Sequence, residues 1–121
     1  MAAAPAAPAG GAGGARFPVE SLTGFAQSLL QAAGLGEAMA LDVAEVLVEG
    51  DLLGHDTHGL QLLAGYVGEI EKGTMAREGL PRIIAERPAV ATWDGQRLPG
   101  PWLVRRAIDW ARPRAQMHGA A

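Results

Sequence analysis

Apolar residues in the first half of this chain recur at the spacing of an α-helix, and that periodicity constrains the fold more than any other feature. From Val19 to Ala33, the residues Leu22, Phe25, Ala26, Leu29, Leu30 and Ala33 follow an i, i+3, i+4, i+7 pattern and share one face. Pro18 suits the start of that helix, where a missing N–H costs nothing, and Gly34 suits its end. A second helix is predicted over Glu37–Leu53, with Met39, Val43, Val46, Leu47, Gly50 and Leu53 or its neighbours on the buried side. Glu37 near its start complements the helix dipole. Gly50 inside it costs up to ~1 kcal/mol relative to Ala, which a close helix–helix contact would explain. A third helix fits His58–Glu71, closed by Lys72 and Gly73, with Asp56 or Thr57 able to cap its start.

The second half changes character. Arg82–Glu86 and Ala89–Trp93 read as short strands, and Asp94-Gly95 is a turn signal after them. Pro101–His118 reads as a helix with Trp102, Leu103, Ala107, Ile108, Trp110 and Ala111 among its apolar positions. Pro113 lies inside it and is expected to kink or divide it. The fold class is α+β: three helices, a short strand pair and a C-terminal helix. With three Trp, two Phe and one Tyr, the core must be mostly aliphatic. The expected members are Leu22, Phe25, Leu29, Val43, Val46, Leu47, Leu63, Ile70, Val90 and Ile108. The length of 121 residues suits one modest domain.

Several classes of function are disfavoured. Residues 1–16 form an expected disordered tail: the first fifteen are only Met, Ala, Pro and Gly, too little apolar surface to offset the entropy of ordering. The tail lacks the basic start and Leu-rich run of a secretory signal, and no apolar stretch approaches the ~20 residues that span a bilayer. Without cysteine there is neither disulfide nor thiolate chemistry, which fits a reducing cytoplasm as the expected location. A net charge of −3 argues against nucleic-acid binding. The charge is unevenly spread: Phe17–Glu71 carries nine carboxylates and no Lys or Arg, whereas Lys72–Ala121 carries nine cationic residues and four carboxylates. Either two solvated faces attract each other within the fold, or the basic half meets an anionic cofactor or partner.

The densest polar stretch is Asp51-Leu52-Leu53-Gly54-His55-Asp56-Thr57-His58-Gly59-Leu60. Its plainest reading is a turn shaped by Gly54 and Gly59, with a capping side chain and two partly exposed histidines. A metal site built on His55, Asp56 and His58 is a second reading, although the spacing matches no recognised signature. Acid–base catalysis is the third. His58 sits beside a hydroxyl and near carboxylates at a predicted helix start, and such competing influences can poise an imidazole near neutrality.

The pattern Asp51-x-x-Gly54-x-x-Thr57-His58-Gly59, followed by Tyr66 and Lys72-Gly73, resembles the N-terminal signature of the malate/L-lactate dehydrogenase family. This family includes ureidoglycolate, sulfolactate and piperideine-2-carboxylate enzymes and is distinct from the Rossmann-type lactate and malate dehydrogenases. The resemblance continues through Pro81, Trp93-Asp94-Gly95 and the helix between Gly100 and Gly119, and so covers about Phe17 to Gly119. It implies an NAD- or NADP-dependent oxidoreductase that moves a hydride between nicotinamide and a small 2-hydroxy acid, 2-oxo acid or cyclic imine. By the same resemblance His58 is the acid/base and Thr57 the hydroxyl that orients it, and Tyr66 and Gln61 lie toward substrate; Tyr66 reads equally as a core tyrosine with its hydroxyl at the edge, and His55 reads as a surface residue. No metal is implied. At the position where relatives commonly carry a carboxylate-binding Arg, this chain has Leu62. The family fold is L-sulfolactate dehydrogenase-like and larger, and the family forms homodimers with active sites near subunit contacts.

No Gly-rich phosphate-cradling motif is present. Residues 17–121 are therefore expected to be the N-terminal part of such a domain, truncated before the cofactor region, inactive alone and with apolar faces left exposed. A non-enzymatic helical interaction module is the competing class, and a metal-dependent hydrolase the third. Substrate identity and the choice of NAD or NADP are not encoded in these residues.

Overall fold

The computed structural model describes residues 15–121, so the expected tail falls almost wholly outside the described part. Helix α1 spans Val19–Ala33 and α2 spans Glu37–Leu52. Two single 3₁₀ turns follow, Asp56–His58 and Leu60–Leu62, before α3 at Leu63–Lys72. Strands β1 (Arg82–Arg87) and β2 (Val90–Asp94) form an antiparallel pair, and α4 runs from Gly100 to His118. The fold is α+β. Gly34 and Gly73 take left-handed backbone and close α1 and α3, as their positions predict.

The core lies among the three N-terminal helices. Ala26 and Leu30 of α1 meet Met39, Ala40, Val43, Ala44 and Leu47 of α2 and Leu63 and Ile70 of α3; Leu35, Leu98 and Trp102 complete the cluster. Leu30, Val43, Leu47 and Ile70 are fully buried, each worth about 1.5–3 kcal/mol of transfer free energy. Ala26, Ala40 and Ala44 are small enough to let the helix backbones approach.

Several expected core residues lie elsewhere. Phe25 and Leu29 are exposed, because α1 turns its Ala26–Leu30 edge inward. Val46 is half-buried and Leu53 exposed. α2 is apolar around much of its circumference, so periodicity alone did not select the Ala40–Ala44–Val48 side that is buried. Val90 and Ile108 are also exposed, and every residue of β1 is accessible to solvent.

The hairpin pairs Ile83 with Trp93 and Ala85 with Thr92, with an irregularity between Ile83 and Ala85 that leaves Ile84 as the extra residue. It docks on α4 through an edge-on contact of Trp93 with Trp110, centroids 6.3 Å apart, and through Glu86 to Arg114 at 2.7 Å. α4 in turn is tied to α2 by Arg105, which donates to Asp42 at 2.8 Å and Glu45 at 2.6 Å. The acidic and basic halves of the sequence therefore meet within the fold.

Pro113 does not divide α4, which is one continuous element. Beside the proline, the Arg114 guanidinium donates to the Trp110 carbonyl at 2.9 Å, one residue after the Asp109 carbonyl that the proline leaves without its helical donor. Among the described residues no helix is long and apolar enough to cross a membrane.

Candidate active site

The chain from Asp51 to Leu62 does not continue as helix. Gly54 N–H donates to Asp51 O and His55 N–H to Gly50 O, closing α2. The Asp56–His58 turn follows, and Gly59 then takes an extended backbone, φ −97° and ψ −154°, which separates it from the next turn. This overturns the expected single helix from His58 to Glu71. Neither Asp56 nor Thr57 caps α3. The side chain that serves the start of this helical run comes from α2: Asp51 Oδ2 accepts from Leu60 N–H at 2.9 Å.

Thr57 Oγ1 lies 3.0 Å from His58 Nδ1. The hydroxyl and the imidazole that the sequence singles out are thus paired, and both are exposed. His58 lines a cleft of about 420 Å³ together with Val46, Glu49, Gly50, Leu53 and His55. The His58 backbone closes on α2 at Gly50, where an added Cβ would lie 2.6 Å from the His58 carbonyl oxygen. Gly50 is therefore explained by close approach of a turn, not of another helix.

The remaining candidates are placed apart from that cleft. Gln61 directs its amide back to the Asp56 carbonyl and braces the first 3₁₀ turn. Tyr66 is half-buried on α3 against the core cluster, and this burial raises its phenol pKa above the ordinary tyrosine value. Leu62 is partly exposed. No Arg or Lys lines the cleft beside His58, and its one carboxylate, Glu49, had no role in the sequence reading. Asp51 was visible there only as part of a pattern; its bond to Leu60 crosses nine positions and has no local spacing signal. Among the described residues no three His, Asp or Glu side chains converge as metal ligands would.

Comparison with known proteins places this geometry in context. Hydroxycarboxylate dehydrogenase B of Escherichia coli O157:H7 is 32% identical over 106 residues, which make up 88% of this chain and 29% of that protein. The solved structure of malate dehydrogenase from Pyrococcus horikoshii OT3 matches with a TM-score of 0.81 at 34% identity, over 86% of this chain and 30% of that one. Sulfolactate dehydrogenase from Methanocaldococcus jannaschii matches with a TM-score of 0.76 at 26% identity, over 81% of this chain and 28% of that one. The chain thus spans less than a third of the length of these relatives. The family model described as malate/L-lactate dehydrogenase matches residues 17–121, every element that builds the Asp51–Leu60 geometry included, and the chain belongs to that family.

Proposed function

We propose that this chain supplies the proton-transfer element of an NAD(P)-dependent oxidoreductase that interconverts a small 2-hydroxy acid and its 2-oxo acid, or a related substrate. The observation that carries this reading is the Thr57–His58 pair at the edge of a cleft, in a chain of this family. When a 2-oxo acid is reduced, its carbonyl oxygen must gain a proton. With Nδ1–H donating to Thr57 Oγ1, the exchangeable proton of the imidazolium is the one on Nε2, which has no partner among the described residues. His58 Nε2 gives up that proton in reduction and takes it back in oxidation. In this reading the Thr57 hydroxyl accepts from Nδ1–H and holds the ring orientation.

The residues of this cleft do not fit the task of holding the dinucleotide. A pyrophosphate calls for cations or converging backbone N–H groups, whereas the cleft offers Glu49 and no Lys or Arg. The same charge distribution disfavours binding a substrate carboxylate here, in keeping with Leu62 at the usual Arg position. In this reading the 121-residue chain by itself turns over no NAD(P)H. A homodimer is the proposed assembly of a family-length form.

A chimaera tests the reading. Residues 17–121 replace the matching segment of the Pyrococcus horikoshii malate dehydrogenase, and NAD(P)H oxidation is followed with a panel of 2-oxo acids. The expected result is turnover that His58→Ala lowers by about 10²–10⁴-fold. A chimaera that binds dinucleotide yet reduces no 2-oxo acid, or that is indifferent to His58→Ala, overturns the assignment. Turnover by the isolated chain overturns the claim that it is inactive alone.

A further inference from the structure

We propose that Asp51 is the positioning residue of His58: its carboxylate, seated against Gly59 and holding the Leu60 amide, fixes the backbone on which the imidazole is presented. The inference deepens the proton-transfer reading and rests on it. His58 is exposed, and its ring has a single side-chain partner among the described residues, Thr57, itself on the surface. An exposed two-member pair has little to hold it in one orientation unless the backbone beneath it is fixed.

Two contacts fix that backbone, both to the last turn of α2. The His58 carbonyl lies so close to α2 that only a glycine fits at position 50, since an added Cβ would stand 2.6 Å from that oxygen. One residue further along each segment, a Cβ at position 59 would lie 1.7 Å from Asp51 Oδ1, so the carboxylate occupies the space a side chain would need. Its other oxygen, Oδ2, accepts from Leu60 N–H at 2.9 Å. Asp51 is partly buried, and this charge-assisted bond sits in a setting of reduced solvent. The Leu60 amide begins the helical run that leads into α3 and has no other acceptor among the described residues, so a carboxylate from another element does the work of an N-cap. The His58–Leu60 backbone is thereby held against the last turn of α2 at two neighbouring residues, Gly50 and Asp51. Asp51 does not touch the reacting atoms; it acts on them through the His58 backbone.

The test uses the full 121-residue chain and needs no turnover. Amide hydrogen exchange of Leu60 is compared with that of Val43 in the core, and the neutral tautomer of His58 is read from its ring ¹⁵N shifts, with exposed His118 as reference. In the unsubstituted chain the Leu60 amide exchanges slower than that of Thr57, and His58 favours the Nδ1–H tautomer more than His118 does. Asp51→Ala speeds Leu60 exchange about 10-fold or more relative to Val43 and moves the His58 tautomer ratio to that of His118. Asp51→Asn, which keeps an acceptor oxygen in place, preserves most of both signals. Unchanged Leu60 exchange and tautomer in folded Asp51→Ala overturn the proposal. If Asp51→Ala does not fold, the unsubstituted chain decides: Leu60 exchanging as fast as Thr57, or His58 with the tautomer ratio of His118, overturns it. In the chimaera, Asp51→Ala is expected to lower kcat more than it raises KM. A silent His58→Ala there, with the Leu60 and tautomer signals intact, overturns the proton-transfer reading and leaves the backbone contact standing.

Discussion

Gly59 and Asp51 compete for one volume, and that competition is measurable. Adding a methyl at position 59 forces the carboxylate out or the turn apart, and overpacking of this kind costs about 1–3 kcal/mol. Gly59→Ala should therefore lower stability by about that amount in the unsubstituted chain, and by clearly less when Asp51→Ala has already emptied the space. Urea denaturation of the four chains gives the coupling, and additive effects would show that the two residues do not share the site. Tyr66 offers a second check, since it is the sole tyrosine and its absorbance change reports one group. Burial raises its pKa, so the phenolate is disfavoured in the folded chain. The unfolded chain then releases this proton first as pH rises. Stability is intact below the ordinary tyrosine pKa and is lost as pH climbs through the raised folded value. Absorbance titration should place Tyr66 above its value in urea, and Tyr66→Phe should remove that part of the alkaline loss of stability. The contact of Thr57 with His58 was legible at this scale, because the two are adjacent in sequence. The residue that holds them was not: Asp51 reaches Leu60 across a turn that no periodicity describes.

α4 carries most of its attachment to the helical core at its first turns, through Leu98, Trp102 and the Arg105 fork to Asp42 and Glu45. The three charged side chains are partly exposed, so solvent weakens each pair to a fraction of what it would be worth when buried. Arg105→Met, which keeps the apolar stem, should cost about 0.5–1 kcal/mol at low salt and less in high salt, as screening already weakens the pairs it removes. Equal losses at both salt concentrations in denaturant titrations would assign the effect to packing instead. At this scale the sequence was read well where an element is decided locally. The bounds of α1 and of the strands follow from periodicity, glycine caps and turn residues, with β1 one residue longer than expected and β2 shifted by one residue toward the C-terminus. It was read poorly where a distant group decides. The predicted helix from His58 fails because Gly59 is drawn into an extended conformation beside the Asp51 carboxylate. Pro113 leaves α4 undivided even though it withdraws the N–H that would meet the Asp109 carbonyl.

Taken whole, the molecule buries its large aliphatic side chains unevenly. α1, α2 and α3 enclose a core, whereas the hairpin contributes none of the buried residues and both of its strands have a free edge. Ile83 and Ile84 are each more than half exposed on β1, Val90 lies open on β2 and Ile108 on α4. Free strand edges with apolar side chains present unpaired backbone groups and uncovered surface together, the combination that promotes pairing between chains. A chain that spans under a third of its relatives' length and carries such faces should therefore self-associate when isolated. Sedimentation should show a mean mass that rises with concentration, and replacing both Ile83 and Ile84 by Lys should shift it back toward the monomer by charging one edge. Hydrogen exchange should divide the molecule in the same way, with β1 and β2 amides exchanging well before those of α2 around Val43 and Leu47. A monomer at every concentration, unfolding in one sharp transition that includes the hairpin, would mean that these faces need no cover and that the described residues are a self-sufficient fold.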